Sequence, residues 1–464
     1  MKLKTTLVLV AVFAALLALV LWFDTKGEKT KAAEEKTNTL IDLAAADVRK
    51  VALTRGLETI VLERDGAGPW RLTSPLEAPA DDAEVSGLVG SLASLRIERI
   101  VEKAVADPAA YEIPKTEVSL WVKDKDEPVR LLVGMENPLD KTLFAKRADD
   151  PRLVLLASTL KAALEKTVFD FRLKDVFKFT AEEVKGIRVR AKDVAWTARR
   201  EETGWRFESP VAALAAKGKL DSLLEALSGL KAKSFVTEEK TAAALGLYGL
   251  AKPDYEVVLS LPGADREIVF ALGKQGEAQY ATTSLSTKVV SFEGTLLADL
   301  DRKIDEIREK KIADLYAWDA KSVLVKRDGL EIAAVKEKAG EEEKWLLDPA
   351  TKAEADRTKV EDFVRRIEGL EAAAFVDAPG PLAGYGLDPG TEIRIKTRDY
   401  QDKEKEVVLF VGREDAASKQ VAVKAAGLEY LFLIDAAFLA DLPKDKAAWQ
   451  AEAPKTAEGQ TDKK

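Results

Sequence analysis

Three tryptophans repeat at nearly constant spacing along this chain: Trp70 in WRLTSP, Trp205 in WRFESP and Trp345 in WLLDP, 135 and 140 residues apart. A proline follows each closely, at Pro75, Pro210 and Pro349. Fifteen residues after each tryptophan the same apolar pattern opens: Val85, Leu88, Val89, Leu92, Leu95; Leu220, Leu223, Leu224, Leu227, Leu230; Val360, Phe363, Val364, Ile367, Leu370. The spacing i, i+3, i+4, i+7, i+10 puts one apolar stripe on one helix face. An apolar pair comes next in each copy: Ile100-Val101, Phe235-Val236 and Phe375-Val376. A chain that keeps these offsets three times has duplicated one folding unit, and every copy must build an equivalent core.

The downstream halves match as well. Tyr111 (YEIP), Tyr248 (YGLAKP) and Tyr385 (YGLDP) begin a corresponding turn, and alternating strands follow, such as Val118, Leu120 and Val122, or Ile393 and Ile395. The second of these strands runs into glycine in each copy, at Gly134, Gly273 and Gly412, 139 residues apart both times. Upstream of the tryptophans lie hairpins: Ile187 and Val189 lead to Val194 and Trp196, while Val323 and Val325 lead through Asp328-Gly329, a tight-turn signal, to Ile332. Each copy therefore reads as three strands, a long helix, about four strands and a short helix. This is an α+β class of mostly antiparallel sheet covered by a helix. The closing helix near 296–311 is expected to run on toward the next copy, stiffening the row.

With 464 residues, 47% hydrophobic and 33% charged, the chain has material for about three domains with real cores. The net charge is −8 with acids and bases interspersed, which argues against nucleic acid as a partner. Cysteine and histidine are both absent. That removes disulfides, thiol nucleophiles, thiolate metal sites, the Ser-His-Asp triad and most zinc sites.

Met1-Lys2-Leu3-Lys4 precedes an uncharged run from Thr5 to Phe23. Nineteen helical residues at about 1.5 Å each span roughly the 30 Å hydrocarbon layer of a bilayer. Trp22 and Phe23 suit its interface, and Lys2 and Lys4 favour a cytoplasmic N-terminus. The rival reading, a cleaved signal peptide, fits less well: the apolar run is long, and no small-x-small site follows closely. The expected organisation is thus a cytoplasmic N-terminus (1–4), a membrane anchor (5–23), a polar linker (24–39), modules at 40–178, 179–312 and 313–449, and a disordered tail (450–464). The body would lie on the extracytoplasmic side of the inner membrane.

The Trp-x(4)-Pro strand, the helix with its apolar pair, the Tyr-Gly-Leu-x-Pro turn and the Leu-Gly strand resemble the bacterial domain of unknown function 4340 family. The features stand here as WRFESP at 205–210, YGLDP at 385–389 and FALG at 270–273, and the likeness runs from about Leu40 to Trp449. The first copy departs with YEIP, and the third has Val421 where an aromatic is usual. The resemblance implies an inner-membrane accessory protein, with members often encoded beside ABC-type transporters of the gliding-motility kind. It implies no activity.

Candidate chemistry is thin. Trp70, Trp205 and Trp345 are the right residues for a sugar or peptide cleft, but their place at a strand end before a helix suits a core anchor better. The same holds for Tyr111, Tyr248 and Tyr385. Asp81-Asp82, Glu182-Glu183 and Glu341-Glu342-Glu343 are adjacent acids rather than carboxylates facing across a cleft, and the first pair suits a helix start. Gly134, Gly273 and Gly412 lack any phosphate-loop context and read as turns with positive φ, with Lys141 and Lys424 as solvated neighbours. Ser158 and Lys161 have a dyad-like spacing of three that has no counterpart in the third copy. No catalytic, cofactor-binding or metal-binding residue is therefore assigned, and no cofactor is expected. The leading expectation is a non-enzymatic binding or scaffold protein. Its partners are the bilayer, through residues 5–23, and a membrane protein. The alternative is an envelope hydrolase or glycan-binding protein with a cleft between modules.

Overall fold

The computed structural model describes residues 38–263, 266–339, 342–348, 350–398 and 403–451. The segments expected as cytoplasmic N-terminus, membrane anchor and most of the linker lie outside these residues, as do Pro349, Glu341 and the tail from 452. Among the described residues no helix is long and apolar enough to cross a membrane.

Three antiparallel sheets of nine strands carry the fold, and the strand order is the same in all three. In the first module the order from edge to edge is Ala78–Pro79, Arg71–Ser74, Glu58–Glu63, Val48–Arg55, Thr116–Val122, Val129–Glu136, Leu143–Arg147, Leu153–Leu156 and Arg99–Glu102. Two four-stranded meanders thus join side by side along Val48–Arg55 and Thr116–Val122, with Val51 opposite Leu120. The long helix, Asp82–Ala93, leaves from one edge of the sheet, and the chain returns as a strand at the other edge. Eight inter-strand steps of about 4.8 Å make roughly 38 Å, which a helix of about 18 Å and an extended stretch together can cross. The topology itself therefore lays the helix across one sheet face. The helices Lys219–Ser228 and Arg357–Glu368 do the same in the other two modules.

The helix stripes are buried as their spacing predicts. Val85, Leu88, Val89 and Leu92 pack with the sheet residues Val51, Leu53, Val118 and Leu120 in one core. Burial of each such side chain contributes about 1.5–3 kcal/mol. The apolar pairs after the helices, which had no assigned role, form the ninth strands, Arg99–Glu102, Ser234–Thr237 and Ala374–Val376. Asp328 and Gly329 turn as expected, with φ of 49° and 75° between the paired residues Arg327 and Leu330.

The expectation of one closing helix running on is corrected. The second module closes with two short helices, Leu296–Leu300 and Ile304–Ile307, and then an extended segment. That segment first bridges its own module, Ala215 to Arg308, and then the next, Lys311 to Glu371. The first and third modules make the equivalent own-module bridges, Ala80 to Arg172 and Ala355 to Gln450. Gln450 is thus a paired residue of the third module.

The chain divides into two compact units between Lys174 and Asp175. The first unit holds the first module. The second holds the other two, whose apolar interiors form one continuous core. Each module also begins alike: Thr39–Asp42 pairs with Ser94–Arg96, Asp175 bridges Lys231, and Lys311 bridges Glu371.

Candidate functional site

The repeated tryptophans are core residues. Trp70, Trp205 and Trp345 are 2%, 5% and 1% exposed. A cation lies over each ring: the Arg64 and Arg200 guanidiniums at 4.6 and 4.5 Å from the centroid, and the Lys336 ammonium at 5.0 Å. The indole N–H of Trp205 donates to Asp221 at 3.0 Å, and that of Trp345 to Glu361 at 3.3 Å, both on the long helix sixteen positions on. The first module has Ser86 at that position, and the Trp70 indole N–H has no acceptor among the described residues. Its backbone N–H donates instead to Asp82 at 2.7 Å. An indole-to-acid bond thus ties strand to helix in the second and third modules, and a backbone-to-acid bond does so in the first.

The tyrosines sit on the opposite sheet face. Tyr111 packs on Phe144 and Tyr248 on Tyr280, each pair with centroids 4.8 Å apart. The Tyr111 hydroxyl donates to Glu102 at 2.7 Å, a bond that raises its pKa. Tyr385 joins a small cluster with Leu387, Ala422 and Leu431. The pairings Tyr280–Ser291 and Ala422–Leu433 make Ala422, one place on from Val421, the position where the third copy lacks its aromatic. A break in register between Val411 and Glu414 shifts the count by one.

The reading of Gly134, Gly273 and Gly412 as positive-φ turns is corrected. All three lie within strands, and none has positive φ. Glycine is required there by close approach. A Cβ on Gly134 would stand 2.1 Å from the Tyr111 carbonyl oxygen, and one on Gly412 2.1 Å from that of Tyr385. At Gly273 the nearest atom, the Gly249 oxygen, is 3.2 Å away. The tyrosine turn and the Leu-Gly strand are therefore two halves of one contact.

The acidic pairs have local duties. Asp81 caps the helix by accepting from Ala83 and Glu84 N–H, and Glu183 forms a capping box with Thr180. Glu342 and Glu343 lie on a strand. The Lys161 ammonium pairs with Glu136 at 2.7 Å, which raises its pKa, the reverse of what a Ser158-activating base needs. Lys141 pairs with the same Glu136 at 3.0 Å, and Lys424 is half-buried on the strand Gln420–Ala425. Among the described residues no group of three acidic side chains is placed to hold a metal.

Two surface features escaped the sequence reading. One is an open depression of about 520 Å³ in the second module, lined by Asp175, Lys178, Glu182, Glu225, Ser228 and Lys231. The other is an exposed aromatic pair, Tyr316 and Trp318, 54% and 74% exposed, with ring centroids 6.0 Å apart at 27°. No repeat signal marks it, because only the third copy carries it.

Strand order, buried indoles and shared offsets together define a tandem-repeat protein of three antiparallel-sheet modules. Residues 70–213, 205–381 and 345–461 match the family described as Domain of unknown function (DUF4340), and the chain belongs to that family. Each matched stretch opens on a module's tryptophan, and the first two run past the next one. The family unit is thus cut at the tryptophan strand, in mid-module. No curated protein and no solved structure matches the chain.

Proposed function

We propose that the chain is a membrane-anchored, envelope-exposed binding or scaffold protein, accessory to a membrane complex such as an ABC-type transporter. One observation carries this reading: the residues that recur across the copies go into cores and close contacts, and none of the candidate chemistries comes together as a reactive constellation. A repeated unit of that kind multiplies surface rather than chemistry. The uncharged run 5–23, flanked by Lys2 and Lys4, supports a single-pass inner-membrane anchor with the modules on the extracytoplasmic side. The absence of histidine and cysteine supports a non-enzymatic role. The tryptophans are buried as core anchors, so they do not line the cleft that a hydrolase or glycan-binding reading would need.

The test is purification of the full chain from crosslinked membranes in mild detergent. Recovery of a membrane-protein complex, such as a transporter, is the expected result. Repeated recovery of the chain alone overturns the proposal.

A further inference from the structure

All three modules build the same short 3-10 turn just before their first full-length strand, at Ala45–Asp47, Ala181–Glu183 and Ala317–Asp319. The residues on either side of its first alanine are Ala44 and Ala46 in the first module and Thr180 and Glu182 in the second. In the third they are Tyr316 and Trp318. The fold therefore makes this turn without any aromatic, and the third module spends two large rings on water. The turn is held firmly: the Ala317 N–H donates to Glu368 in the last turn of the long helix at 3.1 Å. The Trp318 carbonyl accepts from the Lys336 ammonium at 3.4 Å.

From this we infer that Tyr316 and Trp318 form a stacking platform for a pyranose ring of an uncharged glycan. The inference deepens the binding reading above and rests on it. Size is the first argument. At these exposures, and with about 150–250 Å² per aromatic side chain, the pair offers about 200–300 Å². A stable protein interface takes about 800 Å² per partner. The platform matches one or two sugar rings. Charge is the second argument. Lys321, Lys336 and Lys405 are matched by Asp314, Asp319, Glu343 and Glu368, with Lys405 paired to Asp314, Lys321 3.9 Å from both Asp319 and Glu343, and Glu368 on the Ala317 N–H. Such a rim has no excess of positive charge to pull on a polyanion such as nucleic acid or acidic lipid, and insertion into a bilayer would desolvate its carboxylates. It does supply donors and acceptors for hydroxyl groups around a ring whose C–H face lies on the aromatic π cloud.

The test uses the full chain in a detergent without a sugar head group. Intrinsic tryptophan fluorescence is read against added cellohexaose, chitohexaose and maltohexaose. A saturable change with at least one of them is expected, its midpoint rising by about tenfold or more in Trp318→Ala and in Tyr316→Ala. The double variant Tyr316→Thr/Trp318→Glu, which copies the second module's turn, loses the response while keeping the fold. No saturable change with any of the three sugars, or a change that Trp318→Ala retains at an unshifted midpoint, overturns the platform. Membrane crosslinking on the same proteins separates the two proposals. A partner recovered without a sugar response leaves the accessory reading standing and removes the platform, and if Trp318→Ala also loses that partner, the patch docks protein instead. A sugar response without any partner does the reverse.

Discussion

Arg308 Nη1 donates to Asp377 Oδ1 at 2.6 Å, joining the segment that closes the second module to the end of the third module's edge strand. The guanidinium is fully buried, lying 3.8 Å from the centroid of Phe375 and 4.5 Å from that of Tyr430. Its Nε and Nη2 have no acceptor among the described residues, so Asp377 and the more distant Asp305, at 3.3 Å, carry its compensation. Removing one partner of a buried ion pair costs more than removing both. Asp377→Ala should therefore destabilise the second unit by about 2–3 kcal/mol, reduced from the fully buried case because Asp377 is half exposed. The double variant Arg308→Met/Asp377→Ala should recover part of that loss. Urea denaturation of the three proteins reads the coupling, and strict additivity would contradict the clamp.

The close contacts behind the repeated glycines predict a graded series. Gly134→Ala and Gly412→Ala push a methyl to 2.1 Å from a backbone oxygen and should each cost about 3 kcal/mol or more. Gly273→Ala meets its nearest atom at 3.2 Å and should cost about 1 kcal/mol or less. Thermal denaturation gives the order, and three equal losses would refute the account.

Much of this fold was legible because a repeat lets one copy check another. The stripe Val85 to Leu95 and its two counterparts identified the helices, and the Asp328-Gly329 turn fixed a hairpin register. The ninth strands were not legible. Ile100-Val101 is too short to show alternation, and its partner Val154 is 54 residues away. The role of Gly134 and Gly412 was hidden for the same reason: a carbonyl that approaches from across the fold leaves no local pattern. At the surface, Tyr316 and Trp318 have no equivalents in the other copies, so a search for shared offsets passes over them.

The first module's indole offers a gain of stability. Trp205 and Trp345 donate to Asp221 and Glu361, while the first module has Ser86 at the matching helix position and the Trp70 indole N–H has no acceptor among the described residues. Ser86→Asp should stabilise the first unit by about 0.5–1.5 kcal/mol, and Asp221→Ala should destabilise the second by about 1–3 kcal/mol. Chemical denaturation checks both, and a destabilising Ser86→Asp would show that the modules are not equivalent here.

Asp150 gives the first unit an acid-sensitive contact. The Arg152 side chain, bonded to the nearly buried Asp150 carboxylate at 2.7 Å, holds that carboxyl below the usual aspartate range, with the Arg152 backbone N–H also contributing. A group whose pKa is depressed on folding stabilises above the unfolded value, about 4, and loses that contribution as pH falls through the lower folded value. Asp150→Asn should cost about 1–2 kcal/mol at pH 7, and that gap should narrow as pH falls below about 4 toward the depressed folded value. Urea midpoints of both proteins across that range test it, and a gap that widens on acidification would contradict the sign.

The proposed placement of the modules outside the cytoplasm has a direct test, because the chain has no cysteine of its own. Leu139 is 90% exposed, so Leu139→Cys introduces a single accessible thiol. Spheroplasts with intact inner membranes are treated with a membrane-impermeant maleimide before and after lysis. The account predicts full labelling before lysis, while labelling that appears only after lysis would contradict it.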